Sequence, residues 1–440
     1  MMRSNEAEGV RAERRPHRTL AVRIATMSLA AGLALGGCAP ASTSTSAAAE
    51  VAASTSAGSG TTSSTTSEST TPETLTTADA TTTDATTTAE TITTTTAAAE
   101  QFLATLSDEQ RGQLVSAYDD EARTTSWSNF PVTFVERAGL NLADLTEEQR
   151  TAAMEVLEAL LSEEGYETAT GIMGGDEFLL ENSTSTEESL GQYYIALFGD
   201  PSGSSAWGVQ FGGHHLGVNA TLDGADGAIT FAPTHLGSQP AAYTDSEGHE
   251  VQPLAGMYET AFAFYDSLSE EQQAELYQGS EVGDLVCAPG DTCSYPTGTG
   301  LSGADLTDEQ KQLLLDVVAN WVGLADEQTT AEALAEIEAT LDETFVNWSG
   351  ATVYDMTQGE GVYFQVSGPD VYIEFSNQRG SAGADVDGYV TAGWGHIHTI
   401  YRDPANDYAG SATQQEATGA GGPGGGAPAG GPAGGSSSDG

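Results

Sequence analysis

Four stretches of the chain repeat one short pattern of apolar and polar positions: Leu106-Ser-Asp-Glu-Gln-Arg111, Leu145-Thr-Glu-Glu-Gln-Arg150, Leu268-Ser-Glu-Glu-Gln-Gln273 and Leu306-Thr-Asp-Glu-Gln-Lys311. Each reads as a helix start. The Ser or Thr hydroxyl caps free N–H groups of the first turn, and the Gln three positions on completes a capping box. Acidic residues in that turn suit the positive end of the helix dipole, and the preceding Leu fits a hydrophobic staple. Apolar residues at helical spacing follow, as in Leu313, Leu314, Val317, Val318 and Trp321. The pattern predicts helices over 107–122, 146–163, 269–278 and 307–322. The third continues a helical stretch from 255 that breaks near Leu268, and a fifth helix is expected over 331–346.

Aromatic and β-branched runs fall between these helices, over 193–198, 207–222, 362–366, 371–375 and 389–401. Helices grouped before strands, rather than alternating with them, indicate an α+β fold: helix pairs followed by antiparallel sheet. The two strand blocks look alike. Trp207-Gly-Val-Gln-Phe211 leads to Gly213-His214-His215, and Val371-Tyr-Ile-Glu-Phe375 leads to Gly395-His396-Ile-His398. We read this as a duplicated helix-helix-sheet unit with two pseudo-symmetric halves in one domain. On that reading Gln210 stands where Glu374 stands, and the two His motifs meet at the join.

Composition sets the limits of the folded part. Residues 41–100 hold 23 Thr and 10 Ser, with no aromatic, Lys or Arg. Such a tract buries too little apolar surface to offset chain entropy, so 38–100 is expected to be a disordered tether. The Gly/Pro/Ser-rich stretch 409–440 is expected to be a disordered tail, leaving 101–408 as the folded domain. Residues 1–37 carry Arg11, Arg14, Arg15, Arg18 and Arg23, then an apolar run from Ile24 to Leu35. A basic region, a short apolar region and small residues make a secretory signal. Leu35-Gly-Gly-Cys38 resembles the lipobox of bacterial lipoproteins, which implies lipid on Cys38 and anchoring at the extracytoplasmic face of the cell membrane. The remaining cysteines, Cys287 and Cys293, then form an even pair in an oxidising compartment and are expected to be bridged.

The charge narrows the partners. The chain holds 13 basic and 64 acidic residues, net −51. Residues 101–408 alone hold 7 basic and 52 acidic, net −45. A surface so acidic repels phosphate backbones, which sets nucleic acid aside.

The candidate chemistry rests on histidine. Four of the seven His form two tight clusters, His214-His215 and His396-Ile-His398, both in strand-favouring sequence. Side chains at i and i+2 of a strand share a face, so His396 and His398 can grip one ion through metal–nitrogen bonds of about 2.0–2.1 Å. A bulge at Gly212-Gly213 would bring in His214 or His215. Glu374 is the expected carboxylate ligand or general base, and Arg402 the expected contact for a substrate anion. His235 and His249 are weaker candidates, the second in an exposed turn. A His-rich site without Cys favours zinc, copper or iron over calcium, zinc first.

The motifs Trp207-x3-Phe211-Gly-Gly-His-His-Leu216 and His396-Ile-His-Thr-Ile-Tyr-Arg-Asp-Pro-x-Asn-Asp-Tyr408, together with the repeated helix starts, Phe198-Gly-Asp-Pro-Ser202 and Gly368-Pro-x-x-x-Ile-Glu374, resemble the bacterial family known as domain of unknown function 3500. The resemblance runs over about 101–409. It implies an extent and a motif set rather than a reaction. The motif residues that match are His214, His215, Glu374, His396, His398, Arg402, Asp403 and Asp407.

Two readings follow. One is a membrane-anchored metalloprotein of the zinc-dependent hydrolase kind, in which His396, His398 and His214 or His215 hold the ion. The other is a non-catalytic module that binds a small molecule, glycan or peptide. Both place the chain at a membrane through Cys38. Replacing Cys38→Ser is expected to release the protein from the membrane fraction on cell fractionation; a variant that still sediments with membranes would contradict the anchor.

Overall fold

In the computed structural model, residues 86–187, 190–279, 285–287, 297–356 and 361–411 are described. Cys38, Cys293, the segment read as a signal and the tail beyond 411 lie outside them; residues 409–411 of the expected tail belong to the fold, Ser411 accepting from Arg123. The first half of the domain runs α1 (Thr88–Thr105), α2 (Asp108–Leu114), β1 (Val115–Ser116), the short α3 (Ala122–Thr125), β2 (Leu140–Asn141), α4 (Glu147–Leu160), α5 (Glu163–Asn182), β3 (Tyr194–Phe198), β4 (Ala206–Gly212), β5 (Leu216–Asp223), β6 (Ala228–Thr230) and β7 (Thr234–Ser238). A small hairpin, β8 (Tyr243–Thr244) and β9 (Glu250–Val251), separates it from the second half. That half runs α6 (Ala255–Ser267), α7 (Glu270–Leu276), β10 (Leu301–Ser302), α8 (Asp308–Val322), α9 (Glu327–Ala339), β11 (Phe345–Gly350), β12 (Val362–Ser367), β13 (Tyr372–Asn377) and β14 (Ile397–Arg402).

All four expected capping boxes form, at Ser107, Thr146, Ser269 and Thr307. The helix lengths differ from expectation where the sheet competes for backbone. The first helix stops at Leu114 because Val115 and Ser116 pair in parallel with Leu197 and Phe198. The helix expected over 331–346 instead starts at the Asp326 cap and ends at Ala339, and Phe345 already belongs to a strand.

The folded part also begins earlier than 101. Thr87 opens a capping box with Glu90, and α1 buries Thr91, Ile92, Thr95, Ala99 and Phe102 along one face. The Thr95 hydroxyl donates to the carbonyl of Ala159 on α4 at 2.9 Å. A Thr/Ala-rich helix has little apolar signal, but its small side chains let it lie close against a neighbour, and i, i+3, i+4 spacing suffices to bury a stripe.

The strands form one sheet in the order β1-β3-β4-β5-β7-β14-β13-β12-β11-β10, with β2 also on β3 and β6 on β5. Apart from β1 on β3, the pairings between its named strands are antiparallel. The order is that of a duplication. Leaving aside the short α3, β1 and β6 of the first half, each half contributes four helices, an edge strand (β2 or β10) and four antiparallel strands, and the halves join where β7 pairs with β14. Gly139-Leu140 and Gly300-Leu301 start the matching units, with Leu140 opposite Ile195 and Leu301 opposite Val346. The parallel pairing of β1 on β3 has its counterpart in a single parallel bridge from Tyr277 to Trp348.

Register then corrects the match read from short strings. From Ile195 the ladder runs to Phe211, Val218 and Thr234; from Val346 it runs to Val366, Ile373 and Tyr401. Thr234 and Tyr401 are themselves opposite each other, so the pseudo-twofold axis passes between them. The counterpart of Glu374 is therefore Asn219, not Gln210, and Gln210 corresponds to Gln365. The Gly213–Leu216 turn carrying His214 and His215 corresponds to Gly368–Val371; in both, the glycine N–H donates to the fourth residue's carbonyl, at 2.8 Å. The two His motifs are not equivalent by symmetry.

Strands near the join are buried on both faces. On one face helices pack: Trp321 of α8 donates its indole N–H to Thr399 Oγ1 at 3.0 Å. Side chains alternate along β14, so His398 and Ile400 turn to the other face, where Ile400 packs with Trp127, Leu285, Cys287 and Tyr372. That second face is covered by the short α3, the 126–137 segment and the 285–287 segment.

Each half is locked by a reciprocal pair of glutamines. Gln149 donates to Thr105 O and Gln110 Oε1 and accepts from its own cap, Thr146. Gln310 does the same with Ser267 O, Gln272 and Thr307. Gln149→Ala and Gln310→Ala are each expected to cost about 1–3 kcal/mol in denaturant unfolding, through orphaned part-buried groups. Similar losses in the two halves would match the duplication; a loss in only one would contradict it.

Candidate metal centre

The site is built on the join. His398 lies on β14 opposite Gly237 of β7. His235 lies on β7, and His396 immediately precedes β14. His214 and His215 come from the β4–β5 turn. The turn is tight because Gly213 has no side chain: a Cβ there would meet Gln192 O at 2.5 Å. Gly237 has the same role on the sheet. A Cβ at 237 would meet Ile397 O at 2.7 Å and His215 Cδ2 at 3.4 Å, so the His215 ring lies against this bare position.

Five imidazoles meet in one buried cluster. His214 stacks on His215, with centroids 4.2 Å apart. His398 stands 5.8 Å from His215, 5.6 Å from His235 and 4.9 Å from His396. One ring nitrogen each of His214, His215 and His398 lies within 4.8 Å of the others. An ion about 2.1 Å from all three holds their nitrogens about 3.4–3.6 Å apart, so the widest pair would have to close by about 1.2–1.4 Å at most. His396, expected to grip the ion with His398, flanks this group, as does His235. His249 is exposed in its turn beside Asp245.

The surroundings present neutral imidazoles with nitrogens to spare. His215 donates Nδ1–H to Asp176 Oδ1 at 2.6 Å, and Tyr193 donates to Oδ2 at 2.7 Å. A carboxylate behind a histidine fixes the tautomer and leaves Nε2 for a metal. His235 and His396 donate Nδ1–H to the carbonyls of Thr399 and Gly380. His214 Nδ1, His215 Nε2 and His235 Nε2 are buried without a partner, an uncommon condition for buried polar atoms. Burial pushes the pKa of His214 and His215 well below the usual value, and that of His235 to about 3. Burial also raises Asp176 to about 6 against the lowering influence of His214 and Tyr193. Burial thus favours the uncharged form of His214, His215 and His235, backed by the Asp176 carboxylate.

Asn129 faces the cluster with Nδ2 3.3 Å from His398 Nδ1, while its buried Oδ1 has no partner. Turned over, the amide would accept the Nδ1–H of His398 and leave Nε2 facing inward. Arg137 holds this covering segment in place. Its guanidinium donates to the carbonyls of Ser128, Phe130, Val135 and Gly213, tying the segment to the His turn. Burial lowers it to about 10, so it stays charged.

Two expected site residues are used elsewhere. Glu374 is fully buried, and its carboxylate accepts from Val286 N–H, Cys287 N–H, Tyr363 O–H and Tyr372 O–H, at 2.6–2.9 Å. Four donors occupy both oxygens, so Glu374 pins the 285–287 segment to the sheet and is neither ligand nor base. Cys287 in that segment is disulfide-bonded. Arg402 is 2% exposed, paired with Asp407 at 3.3 Å, with its guanidinium 5.8 Å from the Trp127 ring. It lies at the end of β14, engaged by Asp407.

Asp176, Asn129 and Arg137 escaped sequence reasoning. Asp176 left a trace: it falls on the buried face of α5 with Ile172 and Leu179, where an unpaired carboxylate would be costly. Asp176→Ala would leave both the His215 N–H and the Tyr193 hydroxyl unmet, with an expected stability loss of about 2–4 kcal/mol. Tyr193→Phe should cost about 1 kcal/mol. Equal losses in chemical denaturation would contradict this arrangement.

No curated protein and no solved structure matches the chain. A family model described as "Protein of unknown function (DUF3500)" matches residues 88–410, close to the span of the two halves from α1 to the end of the sheet. The chain belongs to that family.

Proposed function

We propose that the domain binds one transition-metal ion through His214, His215 and His398. The observation that carries this reading is the convergence of three buried imidazoles within 4.8 Å, two of which have ring nitrogens without a partner. Three imidazole nitrogens leave a further coordination position for a small ligand, and zinc accommodates such a set in tetrahedral geometry. Copper and iron take the same donors.

Metal binding is better supported than hydrolysis. A zinc hydrolase needs a base near the metal-bound water. Glu374 is held by four donors, and Asp176 is engaged by His215 and Tyr193. The membrane tether remains part of the proposal on the strength of Leu35-Gly-Gly-Cys38: a lipid on Cys38 would hold the domain at the extracytoplasmic face, where scarce metal ions are met. The acidic surface raises the local concentration of cations.

Elemental analysis of the purified domain tests the site. Wild type is expected to carry about one ion per chain, His398→Ala less than a fifth of that, and the exposed control His249→Ala a full complement. Equal content in wild type and His398→Ala, or none in either, would contradict the assignment.

A further inference from the structure

Ser376 lies on β13 directly opposite His398. Residues opposite each other on antiparallel strands project to the same face, with Cβ atoms about 4.5–5.5 Å apart. Ser376 is 0% exposed and its Oγ has no hydrogen-bond partner. A buried hydroxyl left unmet is destabilising and uncommon in folded proteins. Thr399, next to His398 but on the opposite face, shows the usual outcome: it donates to Leu236 O and accepts from Trp321. The same strand neighbourhood thus holds one satisfied hydroxyl on the helix face and one unmet hydroxyl on the histidine face.

Resting on the metal reading above, we propose that Ser376 is a positioning residue for the non-protein ligand of the ion. Its hydroxyl hydrogen-bonds to a water, a hydroxide or a small monoanion in the open coordination position. The burial of the cluster sets the size of that ligand. His214 is 8% exposed, and the other four histidines 2% or less. The neighbouring groove, about 1430 Å³, is lined by Ser126, Phe130, Val135 and Arg137, from the segment that covers the histidines. A peptide or sugar chain in the groove meets that segment before it meets a histidine. Burial of this degree restricts the ligand to a small one of a few atoms.

The test uses the full folded domain loaded with cobalt(II), whose visible spectrum reports a change of coordination, titrated with azide. Wild type is expected to bind one cobalt and to give an azide-dependent spectral change. Ser376→Ala should bind the same amount of cobalt but azide about tenfold more weakly. Ser376→Thr, which keeps the hydroxyl, should stay within about threefold of wild type; loss of azide affinity in both variants would mark a packing effect and overturn the proposal. Equal azide affinity in wild type and Ser376→Ala would overturn it as well. So would loss of cobalt from Ser376→Ala alone, since the hydroxyl would then be holding the ion itself. Failure of wild type to take up cobalt would instead defeat the metal reading beneath it.

Discussion

The pairing of β7 with β14 is the contact on which the rest of the molecule depends. Without it each half would present an open sheet edge and a half-built core. With it, the strands become one continuous sheet, both faces of its centre are covered, and His235 and His398 come onto neighbouring strands. Central strands buried on both faces admit polar side chains only where each finds a partner. That rule makes the five imidazoles informative. Their outer nitrogens are tied to Asp176, Thr399 and Gly380, and the unpartnered nitrogens of His214, His215 and His235 remain within the cluster.

The duplication and the site stand in an instructive relation. Symmetry explains the frame: paired capping boxes, matching glutamine locks and a common ladder. The chemistry departs from it. The turn that carries His214 and His215 in the first half carries Pro369 and Asp370 in the second. At the position of Glu374 the first half has Asn219, which hydrogen-bonds to Pro233 O and accepts from Gln210. One half thus spends its inward polar position on pinning a disulfide-bearing segment, the other on bracing a strand. The histidines gather on one side of the axis only, consistent with a single ion.

Much of the frame could be read from the chain, because capping boxes are local and their Leu-Ser/Thr-x-x-Gln spacing is unambiguous. The α+β class followed from helices clustered before strands. The meeting of the two His motifs was also legible, although the short strings that suggested it are not symmetry-related. The position of α1 was hidden because Thr and Ala signal a tether as readily as a tightly packed helix. Asp176, Asn129 and Arg137 were hidden for another reason: the contacts that tie them to the histidines or the His turn span 39, 269 and 76 residues, and no local pattern marks which distant residue each meets. Glu374 misled because a carboxylate beside histidines on paper is, on the sheet, surrounded by donors from elsewhere.

The central claim is that imidazoles are the only protein groups that hold the ion. X-ray absorption at the edge of the bound metal, on protein purified without added chelator, measures this directly. The account predicts a first shell of nitrogen at about 2.0–2.1 Å with the outer-shell scattering of three imidazoles and at most one further light atom. A shell dominated by sulfur, or by carboxylate oxygen without imidazole scattering, would contradict it.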